Sequence, residues 1–386
     1  MDLYNKIPQQ LEIVKNVKDQ GYYPYFHQLD SGQDTEILMD GKKVIMIGSN
    51  NYLGLTSNPE VIKAGVEALK KYGSGCSGSR FLNGTLDIHV KLEKELAEFL
   101  QKEAVMTFST GFQSNLGIIS AIAGRNDVIV GDKENHASIY DACKLSYAKL
   151  LRYEHNDMED LEKQLQSIDE SKGILIVTDG VFSMTGSICN LPEIVRLAKK
   201  YGARVMVDDA HGLGVLGEHG RGTAEYYGLE DEVDIYMGTF SKSLASLGGY
   251  MAAKADVIEY VKHVSRPFIF SASITPASVA CARESLRILR EHPERVKKLH
   301  EISDYMRKGL KNLGINIIES KTPIIPIYTY LDDKTFIACK LLLDRGVYVN
   351  PVISPATPVG QSLLRTSYTA THTKEQMRSE ERRVGK

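Results

Sequence analysis

Lys242 lies in a run of hydroxyl residues and glycines that is suited to carbonyl chemistry. The run is Gly238-Thr239-Phe240-Ser241-Lys242, and Gly248-Gly249 follows it closely. A lysine amine can form a Schiff base with an aldehyde, and neighbouring hydroxyl groups can hold a phosphate. Because an isolated lysine is usually solvated, this interpretation depends on which other groups the fold brings to the same place.

Asp208 and His211 supply the second part of this chemistry. Asp208 ends an apolar run, residues 204–207, that predicts a buried strand, and His211 follows it. A carboxylate there can keep a pyridine nitrogen protonated, and an imidazole can hydrogen-bond a ring hydroxyl. Since side chains alternate along a strand, Asp208 and Asp209 should face opposite sides, so only one can serve. Together with Lys242, these residues predict a pyridoxal 5′-phosphate (PLP) site.

Further positions are suited to a planar, phosphorylated cofactor. Thr110-Gly111-Phe112 follows a predicted strand and opens a predicted helix, where free N–H groups and the helix dipole favour a phosphate. Thr239 is close enough to Lys242 in sequence to face the same phosphate. His136 follows another strand, and its imidazole could stack on a ring, although a histidine in this position is more often a cap or core residue.

Composition gives no support to several other classes of function. With 47 basic and 49 acidic residues the net charge is −2, which makes no electrostatic case for nucleic acid. No apolar run approaches the roughly 20 residues of a membrane span, so we expect at most peripheral membrane contact. Five cysteines without a CxxC pair predict reduced thiols, a cytoplasmic protein and no metal site.

One glycine motif suggests an alternative cofactor. Gly212-Leu213-Gly214-Val215-Leu216-Gly217 matches the dinucleotide-binding pattern and follows a strand. The next predicted strand, however, leads into the Lys242 run and does not end in the acid that binds a ribose. We therefore reject a dinucleotide site.

Alternating strand and helix patterns predict an α/β fold with a mostly parallel sheet and helices on both faces. Ligands bind such sheets beyond the carboxyl ends of the strands, where Ser183, Asp208 and Lys242 fall. We predict strands over residues 104–108, 127–131, 174–178, 204–208, 233–238 and 249–252. We predict helices over residues 58–72, 87–100, 112–123, 136–145 and 191–201.

The chain divides into four predicted parts. Residues 1–44 form an N-terminal arm, and residues 45–285 form a large cofactor-binding domain. Residues 286–377 form a smaller α/β domain, which begins with a long helix over 294–313 and continues with elements over 323–330, 336–345, 347–349 and 363–367. Residues 378–386 are expected to be a non-native tail.

Taken together, the motifs resemble the α-oxoamine synthase family of fold-type I PLP enzymes, which are aspartate aminotransferase-like in fold. The likeness runs over residues 22–376. Its most specific parts are the Lys242 run, Asp208-Asp209-Ala210-His211-Gly212 and Asp179-Gly180-Val181-Phe182-Ser183-Met184. It implies a homodimer with shared active sites that joins an amino acid to an acyl-CoA or acyl carrier protein thioester, with loss of CO₂.

The resemblance also implies a role for each matching residue. Lys242 would be the Schiff-base lysine and the base that takes the α-proton. Asp208 would pair with the pyridine nitrogen, His211 would hold the ring hydroxyl, and His136 would stack on the ring and orient the substrate carboxylate. The other implied contacts are Gly111, Phe112, Ser183 and Thr239 to the cofactor, Ser271 to the phosphate of the partner subunit, Arg365 to the substrate carboxylate, and Asn51 near the shared site.

Several runs favour the branch of the family that joins L-serine to palmitoyl-CoA, giving 3-oxosphinganine for sphingolipid biosynthesis. They are Gly111-Phe112-Gln113-Ser114-Asn115, Ser241-Lys242-Ser243-Leu244-Ala245-Ser246, Tyr348-Val349-Asn350-Pro351 and Pro355-Ala356-Thr357-Pro358. Glycine C-acetyltransferase, 8-amino-7-oxononanoate synthase and a cysteate-using enzyme stay as alternatives, whereas the intact Lys242 argues against a non-catalytic subunit. Thr185 departs from the family, which usually has an acid there.

Overall fold

The computed structural model describes residues 2–378, so all but Arg378 of the predicted tail lies outside the described residues. Its α-helices are α1 (Ile7–Asp19), α2 (Pro59–Tyr72), α3 (Asp87–Leu100), α4 (Gly111–Ile122), α5 (Ala137–Ser146), α6 (Met158–Gln166), α7 (Leu191–Tyr201), α8 (Thr223–Tyr227), α9 (Ala255–Val264), α10 (Arg266–Ile269), α11 (Pro276–Glu291), α12 (Glu294–Asn312) and α13 (Asp332–Asp344). Its strands are β1 (Glu36–Met39), β2 (Lys42–Met46), β3 (Ala104–Phe108), β4 (Val128–Asp132), β5 (Lys149–Tyr153), β6 (Ile174–Asp179), β7 (Arg204–Asp208), β8 (Ile235–Thr239), β9 (Gly249–Ala253), β10 (Ile324–Tyr330), β11 (Val347–Tyr348), β12 (Asn350–Val352) and β13 (Ser362–Ser367).

A seven-stranded sheet in the order β3-β9-β8-β7-β6-β4-β5 lies within the region predicted as the large domain. Its strands are parallel except β9, which runs antiparallel to both β3 and β8. Apolar side chains on both faces explain why these strands read as unbroken apolar runs. On β7, for example, Val205 and Val207 join one core cluster while Met206 joins the cluster on the other face. The predicted α/β fold is confirmed.

The carboxyl ends of the parallel strands bring polar residues to one edge of this sheet. β6 ends at Asp179, β7 at Asp208 and β8 at Thr239, and Asp179 is the register partner of Asp208. The antiparallel β9 starts at the same edge, because Gly249 pairs with Thr239. The chain between Thr239 and Gly249 therefore leaves this edge and returns to it, carrying Lys242.

Two three-stranded sheets complete the fold. β10, β13 and β12 form an antiparallel sheet, whereas β11 pairs with β2, which also pairs with β1. β1 belongs to the predicted arm, yet its Ile37 and Met39 side chains are buried. α1, also in the arm, carries exposed apolar side chains such as Leu11.

Local patterns did not predict every element of the large domain. β5 and α6 were not predicted. β5 is an edge strand whose Lys149 and Arg152 are exposed and whose Leu150 and Leu151 are only partly covered, although its Tyr153 is buried. Such a strand lacks the continuous apolar run of its neighbours. α8, α9, α10 and α11 also went unpredicted. The strands and helices that were predicted in this region match the observed bounds within about two residues, whereas the element predicted over residues 336–345 corresponds to α13, which begins four residues earlier.

Candidate active site

A cavity of about 280 Å³ lies at the edge of the sheet where β6, β7 and β8 end. Eight of the residues predicted to form the site line it together: Gly111, Phe112, His136, Ser183, Asp208, His211, Thr239 and Lys242. They come from four separate strand ends and from the first turn of α4. The structure thus assembles most of the predicted site from distant parts of the chain.

Lys242 projects into this cavity from the segment that joins β8 to β9. The segment is closed at its base, because the Phe240 N–H and the Thr239 hydroxyl both donate to the Gly248 carbonyl at 2.9 Å. Burial lowers the pKa of the Lys242 amine to about 8, although the Asp208 charge acts in the opposite direction. About a tenth of such amines are neutral at pH 7, far more than for an exposed lysine. The amine is therefore prepared to act as a nucleophile or a base.

The Asp208 carboxylate accepts a hydrogen bond on each oxygen. Oδ1 accepts the Ala210 N–H at 3.0 Å, and Oδ2 accepts the Asn115 amide at 2.7 Å. The next carboxylate, that of Asp209, does not line the cavity and instead accepts the Thr223 N–H at 2.7 Å and the Thr223 hydroxyl at 2.6 Å. As strand alternation predicts, only Asp208 is placed to meet a ligand in the cavity.

His211 is buried, and its surroundings disfavour the charged form of its imidazole. Burial, together with the positive charges of Lys242 and Arg365, lowers the pKa of its imidazole well below the usual range. Its Nδ1 lies 2.7 Å from the Tyr52 hydroxyl. A neutral imidazole held in this way can form a hydrogen bond with the ring hydroxyl of a cofactor without adding charge to the cavity.

His136 caps the N-terminus of α5 and also lines the cavity. Its backbone N–H donates to Asp179 Oδ2 at 3.2 Å, and its Nδ1 lies 2.7 Å from the Ser138 hydroxyl. Burial lowers the pKa of the imidazole, outweighing the charge of Asp208. Burial, and next the Asp208 charge, raise the pKa of the Asp179 carboxyl well above its usual range.

The N-terminus of α4 forms the phosphate-binding part of the predicted site. Thr110 caps the helix by accepting the Gln113 N–H at 3.1 Å. A side chain at Gly111 would place its Cβ 2.8 Å from the Thr239 hydroxyl, so only glycine lets helix and strand approach this closely. An amine and a carboxylate that line one cavity, together with a helix N-terminus beside a hydroxyl, fit the predicted PLP.

The other three predicted residues do not line this cavity. Ser271 lies beside α4, where its hydroxyl accepts the Gln113 amide at 3.0 Å. Asn51 borders a second cavity of about 590 Å³ that Lys242 also lines. Arg365 lies behind Ser183, donating from Nε to the Ser183 carbonyl at 2.5 Å and from Nη2 to Asn50 Oδ1 at 2.9 Å. Their roles stay predictions.

Four residues at the site received no role from sequence reasoning: Tyr52, Asn115, Ser138 and Asp179. Asp179 could have been found, because it directly follows the predicted strand over residues 174–178. Its Oδ1 is buried and has no hydrogen-bond partner within residues 2–378. Tyr52, Asn115 and Ser138 carry no local signal, since their positions depend on how separate elements pack.

The described part of the chain offers neither a metal-binding cluster nor a membrane-spanning helix. Residues 2–378 contain no group of three or more His, Cys, Asp or Glu side chains arranged to hold a metal ion. Within the same range, no helix combines the length and apolar character that crossing a membrane requires. The five cysteines all lie in this range and none is paired.

Comparisons with known proteins agree with the fold and the site. A model of the aminotransferase class I and II family matches residues 42–380. A serine palmitoyltransferase of Sphingobacterium spiritivorum is 54% identical over 365 residues, covering 95% of this chain and 92% of that protein. An 8-amino-7-oxononanoate synthase of Thermoanaerobacter pseudethanolicus is 43% identical over 367 residues, covering 95% and 93%. A solved structure of serine palmitoyltransferase with PLP matches with a TM-score of 0.97 at 38% identity, covering 100% of this chain and 98% of that one.

Proposed function

Because the chain belongs to the aminotransferase class I and II family, we propose that it is a PLP-dependent acyltransferase of sphingolipid biosynthesis. It condenses L-serine with palmitoyl-CoA and yields 3-oxosphinganine, CoA and CO₂. The observation that carries the proposal is the meeting of Lys242, Asp208 and His211 around one cavity. Support for the substrates comes from relatives at 53–54% identity that are named serine palmitoyltransferase.

The residues around the cavity would hold PLP in defined ways. Asp208 would pair with the pyridine nitrogen, His211 would bond the ring hydroxyl, and His136 would lie against the ring. The remaining contacts would be made by Gly111, Phe112, Ser183, Thr239 and Lys242, with Ser271 contributed by the second subunit. When bound, PLP supplies an electron sink that stabilises negative charge on the α-carbon of an amino acid.

Lys242 would move the proton in this reaction. Its amine, with a pKa of about 8, is neutral often enough near pH 7 to remove the α-proton of serine. The Asp208 and Asp179 charges favour the ammonium that results. Arg365 and His136 would orient the serine carboxylate, so that the bond to the α-hydrogen is the one that breaks.

Substrate pairing tests the proposal. CoA release should be measured for serine, glycine, alanine and cysteate, each with palmitoyl-, pimeloyl- and acetyl-CoA. Serine with palmitoyl-CoA should be the fastest pair, and Lys242→Ala should release no CoA above background. If glycine with acetyl-CoA or alanine with pimeloyl-CoA is faster, the glycine C-acetyltransferase or 8-amino-7-oxononanoate synthase alternative replaces the serine assignment.

We further propose a two-fold homodimer whose active sites are shared between subunits. Two neighbouring loops carry exposed apolar side chains, namely Phe81, Leu82 and Phe270. The loops are joined by a hydrogen bond from the Ser273 N–H to the Gly78 carbonyl at 3.0 Å. Ser271 lies in the same region. Apolar side chains grouped in this way favour burial against another protein surface.

Mixed subunits test the shared site. Combining Lys242→Ala with Ser271→Ala subunits should restore activity, because one hybrid site carries neither substitution. Combining Lys242→Ala with Asp208→Asn subunits is the matched control, since each site then keeps one defect and activity should stay absent. An active monomer in sedimentation equilibrium would contradict the dimer.

A further inference from the structure

A chain of buried polar side chains joins Asp208 to His136. The Asn115 amide nitrogen lies 2.7 Å from Asp208 Oδ2 and 2.9 Å from the Ser138 hydroxyl. The Ser138 hydroxyl in turn lies 2.7 Å from His136 Nδ1. Asn115 and Ser138 are each 1% exposed and come from the packed helices α4 and α5. Neither has a role in the function described so far.

The donor and the acceptor of each hydrogen bond between Asp208 and His136 can be assigned by starting from the Asp208 carboxylate. Asp208 as a carboxylate can only accept, so Asn115 must face it with the amide nitrogen and not the amide oxygen. The second N–H of Asn115 then donates to the Ser138 oxygen. This leaves the proton of the Ser138 hydroxyl to be donated to His136 Nδ1.

A second donor points at the same ring atom. The backbone N–H of Ser138 lies 3.3 Å from His136 Nδ1. With two donors directed at it, Nδ1 cannot carry a proton in the neutral ring, so the proton must be on Nε2. The arrangement has a cost, because Asn115 Oδ1 is buried without a hydrogen-bond partner among residues 2–378.

We propose that Asn115 and Ser138 are positioning residues, which hold His136 as the neutral tautomer protonated on Nε2. Both act through other groups: Asn115 orients the Asp208 carboxylate and the Ser138 hydroxyl, and Ser138 orients the ring. Since His136 lines the cavity, its Nε2–H is the donor offered to a ligand there. The catalytic consequence, a hydrogen bond to the serine carboxylate, rests on the proposed function, whereas the tautomer does not.

Several titratable groups lie around His136 and affect the pKa of its imidazole. Asp208 and Asp179 face it from the ends of β7 and β6, Lys242 from the segment after β8, and His211 from the turn after β7. Donors on Nδ1 stabilise the neutral ring and so lower its pKa. Removing the Ser138 hydroxyl should therefore raise the pKa of His136, and the imidazolium should persist to higher pH.

Nitrogen NMR of histidine-labelled protein tests the proposal. The His136 ring signals are assigned by their loss in His136→Gln, and spectra are recorded from pH 5 to 9, both without PLP and with PLP bound. The wild-type ring should show the Nε2–H tautomer at pH 8. Ser138→Ala and Asn115→Leu should each give a mixture of tautomers and a raised pKa, whereas Ser138→Thr keeps the hydroxyl and should behave as wild type.

Ser146→Ala is the matched control, because Ser146 is a buried serine of α5 whose hydroxyl donates to the Cys143 carbonyl. It should leave the His136 signals and the activity unchanged. In the loaded enzyme, Ser138→Ala should lower kcat/KM for serine about two- to tenfold, the value of one neutral hydrogen bond. The acidic limb of its pH profile should move to higher pH.

Either of two results would overturn the proposal. One is a wild-type His136 with its proton on Nδ1, which is read on the wild-type protein, with a folded His136→Gln protein needed only to assign the signals. The other is a folded Ser138→Ala protein whose tautomer and pKa match wild type. If the tautomer is as expected but serine and palmitoyl-CoA do not react, the proposed function fails while the positioning role stands.

Discussion

Asp208 and Asp209 are neighbours in sequence, but only the Asp208 carboxylate faces the cavity. The Asp209 carboxylate is fully buried elsewhere and bonded to both the N–H and the hydroxyl of Thr223. Burial raises the pKa of Asp209 to about 7, against the effect of those hydrogen bonds. The Asp208 carboxylate is therefore available for a ligand, whereas the Asp209 carboxylate stabilises the turn that follows β7.

This difference predicts unequal effects of two matched substitutions. Asp208→Asn should lower the rate of condensation by about a hundredfold or more, because it removes the charge that would keep a pyridine nitrogen protonated. Asp209→Asn should cost less than about threefold, since an amide can still bond Thr223. The measurement is kcat at saturating PLP for both variants, and equal losses would show that the strand phase is wrong.

The lowered pKa of Lys242 predicts how PLP attachment depends on pH. Only the neutral amine reacts with an aldehyde, so attachment to PLP-free protein should speed up about tenfold per pH unit below about 8 and level off above it. Borohydride reduction should leave a pyridoxyl group on Lys242. Lys254→Ala, at an exposed lysine beyond β9, is the control and should load normally. A label on another lysine in wild-type protein would refute the assignment.

Arg365 is expected to bind the substrate carboxylate while Ser183 and Asn50 hold two of its nitrogens. Hydrogen bonds to charged groups contribute about 1.5–3 kcal/mol, so Arg365→Ala should weaken serine binding by about ten- to a hundredfold. Arg365→Lys should not restore binding, because an ammonium cannot form two parallel hydrogen bonds. Serine affinity is read from the change in the PLP absorbance spectrum. Unchanged affinity, or loss of PLP itself, would contradict this role.

His155 predicts a stability effect that changes with pH. It lies 3.1 Å from Asp132 and 2.9 Å from the Ser187 hydroxyl, which also bonds Thr185, the residue that departs from the family. Burial lowers the pKa of His155, but the Asp132 hydrogen bond and the charges of Asp132 and Glu134 outweigh it and raise the pKa overall. The charged ring therefore stabilises the fold below the unfolded pKa of about 6.5, and this stabilisation is lost as pH rises through the folded pKa.

Substitution of His155 tests that sign. His155→Gln should lower the free energy of unfolding by about 1.5–3 kcal/mol at pH 6 and by clearly less at pH 8.5. Urea unfolding at the two pH values measures this. His263→Gln, on the exposed side of α9, should change little at either pH. A larger loss at pH 8.5 than at pH 6 would mean that the ring is held in its neutral form.

The sequence predicted the parts of the fold that depend on local pattern. Apolar runs located β3, β6 and β7, and the polar residues that follow such runs located Asp208 and Lys242, because carboxyl ends of parallel strands share one edge. Contacts between elements could not be predicted from these local patterns. Asn115 contacts Ser138 only because α4 packs against α5. The apolar periodicity of each helix does not indicate which of its residues face the other helix.

Arg365 shows a second limit of the same kind. The family resemblance implies that Arg365 binds a carboxylate, but its Nε already donates to the Ser183 carbonyl. That contact joins β13 to the chain after β6, far apart in sequence. Where a side chain of this length finally binds is decided by packing between parts of the chain that are distant in sequence, and the motif alone does not describe that packing.

The antiparallel direction of β9 also determines how the reactive amine can move. The segment carrying Lys242 starts and ends at the same edge of the sheet, and the Gly248 carbonyl ties its two ends together. The segment is also bonded along its length, because the Ser243 hydroxyl donates to the Leu213 carbonyl at 2.6 Å and the Ser246 N–H donates to the Phe240 carbonyl at 2.9 Å. With the backbone held at these points, the reach of the amine depends mainly on rotation about the four side-chain bonds of Lys242.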